Sequence, residues 1–340
     1  MAKHTFNIYK LHFTSPVHLG DARDDYGVSL KTIASDTMYA ALISCLAKLG
    51  EEIPKDGDLG CTTSSLFPFY QKDKADNNAV LFFPKPLKQT LPPSKKAVEE
   101  RKKIKKVAWL DALYFTKILQ GEQLFKEETI GGNAIQGEFM TDAPIDKDFI
   151  SSQVLPRVTV SRDYSEDAKP FYMDRVAFKG YSGLFFIADG DVSLLEKALN
   201  LLQHEGLGTD RNVGNGYFEY EPATLDIDIP EDSEYAIALS SFVPESKEQL
   251  QALLDSDDVA YDFERRGGWI TTSPHNTLRK NVIYAFTAAS VFKCQSKGVE
   301  AKGNVGIDLK PDLPSIDHPV WRCGRALFIP IKLNSNGRNQ

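Results

Sequence analysis

Long apolar runs are missing from this 340-residue chain: no stretch approaches the roughly eighteen consecutive apolar residues of a membrane-spanning helix. The opening residues MAKHTFNIYKLHF also lack the basic region, apolar run and small-residue cleavage site of a secretory leader, so a cytoplasmic protein is expected, with no membrane partner. Cysteine is sparse. Cys45, Cys61, Cys294 and Cys323 form no C-x-x-C pair, which removes the usual zinc and redox spacings. The six histidines are equally dispersed, without an H-E-x-x-H pair, so neither a metal nor a cofactor is expected. Positive charge is also short: 40 Lys and Arg face 47 Asp and Glu, a net charge of −7. That balance does not suit a generally basic nucleic-acid binder, because phosphate binding depends on clustered Lys and Arg. A single basic groove on an acidic body remains compatible with it.

What is present reads as an ordinary globular chain, 42% apolar and 26% charged, long enough for two compact units. FNIYKLHF (6–13) has the aromatic alternation of a strand and is followed by a polar loop. Ser35 is placed to cap a helix carrying Met38, Leu42, Cys45, Leu46 and Leu49 at helical spacing and ending at Gly50. AVLFFPKP (79–86) reads as a short strand. KKAVEERKKIKK (95–106) reads as a solvated basic helix face or insertion, with a phosphate-facing role as the other reading, and residues 121–150 read as loop. VLPRVTVSRDYSEDAKPFYMDRVAF (154–178) has the pattern of a long β-hairpin with Arg157, Arg162 and Arg175 on it. LFFIA (184–188) suits a central strand, and Leu195, Ala198, Leu199 and Leu202 form the inner face of the helix that follows. After Pro230 the pattern restarts with YAIALSSFV, a helix after Pro244, a hairpin turning at Gly267-Gly268, and two more strand segments. The expected fold is α+β: two tandem ferredoxin-like units, 1–230 and 231–340, each with a few strands and about two helices.

Between the second helix and its following strand lies GLGTDRNVGNGYF (206–218), with Gly206, Gly208, Gly214 and Gly216. Counting from Gly206 places Arg211 where a dinucleotide fingerprint needs its third glycine, and the P-loop spacing is also unmet. Direction argues further. Nucleotide loops run from strand to helix so that phosphate meets a helix N-terminus, whereas this loop leaves a helix C-terminus. What remains is a side-chain-poor segment able to approach another backbone, with Arg211 available to a phosphate, or else a structural turn.

G-x-G-x5-G-x-G-x-F between a helix and a strand resembles the hallmark loop of the RAMP superfamily of CRISPR proteins. SPVHLG, SDTMYAAL, PRVTVSRDY, RGGWIT, LRKNVIYAFTAASVF and HPVWRCGRALFIPI, in that order, are similar to the family forming the fourth subunit of the type III-A Csm interference complex. The resemblance implies two RRM-like units, a glycine-rich loop and a projecting β-hairpin thumb. It also implies a non-catalytic RNA-binding subunit that grips the repeat-derived 5′ handle of crRNA and joins the large polymerase-like Csm subunit to a Csm backbone subunit in antiviral defence. Carried onto this sequence, Gly206, Gly208, Arg211, Asn212, Gly214 and Gly216 would track the handle. Ser35, Asp36 and Thr37 would offer it hydroxyls and helix N-terminal N–H groups, with simple N-capping as the other reading of that triplet. Arg157, Arg162 and Arg175 would decorate the thumb, with target RNA nearby. Two other functions compete. One is a metal-independent RAMP endoribonuclease processing precursor crRNA, for which His12, His18 and His204 are the candidate acid and base groups. The other is a protein-protein adaptor without RNA contact, with which the net acidity is compatible and which the C-terminal half, where no basic cluster is apparent, would serve.

Overall fold

A computed structural model describes residues 2–20, 26–88, 100–125, 132–160, 167–294, 303–313 and 315–333. In chain order the first part comprises β1 (Ala2–Phe13), α1 (Ser35–Leu49), β2 (Cys61–Thr63), β3 (Phe67–Tyr70) and β4 (Val80–Pro84). Then come α2 (Arg101–Lys106), β5 (Trp109–Asp111), α3 (Ala112–Leu119), β6 (Ile135–Gln136) and β7 (Phe139–Met140). The hairpin strands β8 (Ile150–Thr159) and β9 (Lys169–Phe178) precede β10 (Gly183–Gly190), α4 (Ser193–Glu205) and β11 (Phe218–Ile229). The remainder contains β12 (Tyr235–Ala238), α5 (Lys247–Leu254), β13 (Phe263–Arg266), β14 (Ile283–Phe286) and β15 (Val291–Lys293). Short strands β16 (Ile307–Asp308), β17 (Trp321–Arg322) and β18 (Phe328–Pro330) complete it.

The protein is a mixed α+β, sheet-rich fold. Its main sheet runs β11-β1-β10-β3-β4-β5-β7-β6, with β2 also on β10. The four strands β11-β1-β10-β3 pair antiparallel, with α1 between β1 and β2 and α4 between β10 and β11 in chain order. Both faces of this sheet are covered, which is why LFFIA is continuously apolar. Leu184, Phe186 and Ala188 face the core beneath α1 and α4, while Phe185 and Ile187 face the opposite core. β1 splits in the same way, with Tyr9 and Leu11 on one face and Phe6 and Ile8 on the other. The opposite core is closed by Phe115 and Leu119 of α3 and by Ile237, Leu239, Val291 and Ile329 from the C-terminal part. No helix among the described residues is long and apolar enough to cross a membrane.

Several expectations change. The helix at 35 starts on Ser35 itself, with Ala34 as N-cap, and the Ser35 hydroxyl accepts from the Ser241 N–H at 2.9 Å instead of capping. Residues 121–150 are not all loop, because β6 and β7 form a short hairpin on the sheet edge. In the basic stretch, α2 buries Ile104, while 95–99 lie outside the described residues. The C-terminal part has a three-stranded sheet, β15-β12-β18, and α5 as its α-helix among the described residues, one helix where about two were expected. VAYDFERR does not turn back onto WITTS. β13 pairs with β14, Phe263 opposite Phe286 and Arg266 opposite Ile283. Ile270 is instead drawn into a small core with Ile316 and Val320, which pulls the chain after Gly268 away from β13.

Candidate functional site

A cleft of about 970 Å³ opens between the glycine loop and the segment 265–282. The loop wall is shaped by backbone. After α4 the chain makes a 3₁₀ turn at Arg211–Val213 and enters β11. Leu207 N–H donates to the Gly216 carbonyl, Gly216 N–H to that of Pro16, and Thr209 N–H to that of His18, all between 2.9 and 3.0 Å. Side chains are excluded where this fold-back is tightest. A Cβ on Gly216 would lie 1.9 Å from the Leu207 carbonyl oxygen and one on Gly208 2.3 Å from that of His18, and both residues have positive φ. The buried Asn215 locks the loop from beneath, donating to the Asp210 carbonyl at 3.2 Å and accepting from the Arg175 guanidinium at 3.4 Å. Arg211 donates to the Gly206 carbonyl at 3.4 Å.

The opposite wall is shaped by charge. β13 ends in Arg265 and Arg266, the chain returns through Arg279 and Lys280, and β17 adds Arg322. With Arg211, these give six cationic residues on the cleft, against Glu205 and Asp210. The Arg279 guanidinium lies over the Trp269 ring, 4.9 Å from its centroid. Asp36, in the first turn of α1, anchors this wall. Its two oxygens accept a bidentate pair from Arg266 at 2.9 Å each, and Oδ2 also accepts from Arg322 at 2.8 Å. Burial alone would raise the Asp36 pKa, but Arg322 and Arg266 overcome it and hold the carboxyl below the usual carboxylate range. The Lys280 ammonium shows the converse. Burial first, then Arg322 and Arg266, push it down to about 8 against the opposing pull of Asp36. A narrower, more apolar groove of about 500 Å³ runs along Ala40, Ala41 and Ser44 of α1 and shares Thr37, Gly208, Arg211 and Arg266 with the cleft. A chain with anionic links and flat apolar groups fits that combination.

Residues 231–331 match the family model for the CRISPR Csm4 C-terminal domain. The "CRISPR system Cms protein Csm4" of Streptococcus thermophilus is 25% identical over 187 residues, which is 53% of this chain and 58% of that relative. Residues 231–331 carry the Csm4 C-terminal domain. The match therefore spans little more than half the length of that Csm4 relative. Two solved structures share the fold over nearly the whole chain. A chain of the Csm1-Csm4 cassette in complex with cA4 has a TM-score of 0.59 at 18% identity, covering 97% of this chain and 99% of that one. A chain of the Csm3-Csm4 subcomplex of the type III-A CRISPR-Cas interference complex has a TM-score of 0.55 at 18% identity, covering 97% and 100%.

Within this fold, Gly208, Arg211, Asn212 and Thr37 are brought together on the cleft, and Gly206 borders the apolar groove. Gly214 and Gly216 line neither cavity. Ser35 and Asp36 are buried, because Ser241 and the two arginines occupy their oxygens, so they hold the far wall in place instead of facing solvent. Arg157 on β8 and Arg175 on β9 do not line the cleft, although Arg175 reaches the glycine loop through Asn215, and Arg162 lies outside the described residues. His18 and His204 border the cleft. His12 does not; it is buried against Tyr181, its pKa lowered by that burial, with Nδ1 2.8 Å from the Tyr181 carbonyl. Sequence reasoning missed Arg265, Trp269, Arg279 and Lys280, and the expectation of no basic cluster in the C-terminal half is corrected. Two adjacent basic pairs, 265–266 and 279–280, were the available signal. Pairing of β13 with β14 and the bridge between Trp269 and Arg279 fold them onto one surface.

Proposed function

We propose that this chain is a non-catalytic, RNA-binding subunit of a type III-A CRISPR effector complex, working in the cytoplasm, whose cleft holds the 5′ repeat-derived handle of crRNA. The cleft itself carries the reading: cations outnumber carboxylates six to two there on a chain of net charge −7. Phosphates would follow Arg211, Arg265 and Arg279, and Trp269 and the apolar groove would receive bases by stacking and burial. The two halves serve as RRM-like units, and the subunit joins the large polymerase-like subunit to a backbone subunit. The pairings named for the related solved structures, Csm1 with Csm4 and Csm3 with Csm4, support that placement. The hairpin β8-β9 acts as the thumb near target RNA. It forms a sheet of its own and leaves Val154, Val158 and Tyr172 more than half exposed, an apolar surface awaiting a partner.

Photocrosslinking of the assembled complex tests the reading. Crosslinks from 206–216 and 265–282 to the 5′ end of the guide are expected, and their absence from both segments would overturn it. The non-catalytic assignment has its own test, incubation of pure protein with repeat-containing RNA without metal. Specific cleavage abolished by His18→Ala or His204→Ala would replace it with the endoribonuclease.

A further inference from the structure

Charge at the back of the cleft does not balance. Arg266, Arg322 and Lys280 surround one carboxylate, Asp36, an excess of two positive charges (three minus one). Glu264 approaches this group at its edge, 3.3 Å from Arg266 Nη1, with its side chain 37% exposed. The charged groups facing Lys280 are Arg322, Asp36 and Arg266, and its ammonium has no hydrogen-bond or ion-pair partner among the described residues. Arg322 is 7% exposed, and its Nε is buried without a partner. A buried donor without an acceptor is costly, as Arg322 Nε is, and Arg322 and the partly buried Lys280 both line the cleft. We propose that Lys280 and Arg322 form a recessed subsite for one phosphate group of the bound nucleic acid. The proposal rests on the cleft being an RNA site. A phosphate there accepts from the Lys280 ammonium beside the charge of the Arg322 guanidinium, supplying the anion that Asp36 alone does not provide.

The subsite links binding to protonation. With Lys280 titrating near 8 in the free protein, a phosphate that raises its pKa makes affinity fall as pH rises through that value, by up to about tenfold between pH 7 and pH 9. The probe is a single strand of about eight adenosine and cytidine residues, whose bases do not titrate in that range, measured by anisotropy on the full chain. Lys280→Met should abolish the pH dependence and flatten the salt slope by about 0.7, one phosphate's worth. Lys280→Arg should keep affinity and slope but also lose the pH dependence, which separates charge from folding. Equal behaviour of 5′-hydroxyl and 5′-phosphorylated strands assigns the subsite to a phosphodiester; a pH effect confined to the phosphorylated strand assigns it to a terminal monoester. If RNA binds but is independent of pH and unaffected by Lys280→Met, the subsite is overturned while the RNA reading stands. If no strand binds, the RNA reading falls, and stabilisation by pyrophosphate then decides the subsite: a rise in Tm lost in Lys280→Met supports it, and equal behaviour of the two proteins overturns it.

Discussion

The two walls of the cleft solve the same problem with different chemistry. The loop 206–216 is held by main-chain hydrogen bonds and by glycines at which a Cβ would strike a carbonyl, so its contribution is a fixed shape with few side chains. The wall 265–282 has little regular structure and is held by ion pairs to Asp36, so its contribution is charge. Shape without charge would not retain a polyanion. Charge without shape would retain any polyanion, and the combination suits one nucleic-acid segment in one path.

The comparison breaks hardest at Asp36. Asp36→Asn leaves Arg266 and Arg322 buried without their anion and should cost about 3–5 kcal/mol, read as a lower denaturation midpoint. The pH dependence follows from the depressed carboxyl pKa. Its stabilisation is fully present above the unfolded value of about 3.9 and is lost as pH falls through the lower folded value, so the acid limb of stability should flatten in the variant. The shape wall answers to glycine instead. Gly216→Ala should cost about 2–4 kcal/mol, whereas Gly214→Ala, with equally positive φ but nothing within 4 Å of the added Cβ, should cost about 1 kcal/mol. Equal losses at the two positions would mean that backbone conformation, not close approach, sets the loop.

These walls were unequally legible in the sequence. Glycine spacing reports a local backbone demand, so the loop and its flanking helix and strand were readable from one short stretch. The inner face of α4 was readable for the same reason: Leu195, Ala198, Leu199 and Leu202 are all buried at helical spacing. The charge wall depends on partners more than two hundred residues away, Asp36 with Arg266 and Arg322, and no periodicity links such positions. Asp36 shows the cost of local reading. At a helix start an acidic residue reads as an exposed cap or ligand, yet here tertiary pairing turned it inward. The hairpin expected at Gly267-Gly268 failed similarly, because Ile270 found a better apolar partner in Ile316 and Val320 than a cross-strand neighbour would offer.

The smallest expected effect discriminates best between the walls. Arg211 and Arg265 are cleft cations, one on each wall, that take part in no ion pair among the described residues. Arg265 is exposed, whereas Arg211 is half-buried and spends one donor on the Gly206 carbonyl. Arg265→Ala should therefore lower the salt slope of RNA binding by about 0.7 with unchanged protein stability. Arg211→Ala should lower the slope by no more than that and also soften the loop slightly, seen as a small drop in Tm. Because the two side chains share no partner, the double variant should lose the sum of the single losses. A double loss well short of that sum would mean that both arginines reach the same phosphate, and that the cleft is bridged by its ligand at that point instead of lined independently by its two walls.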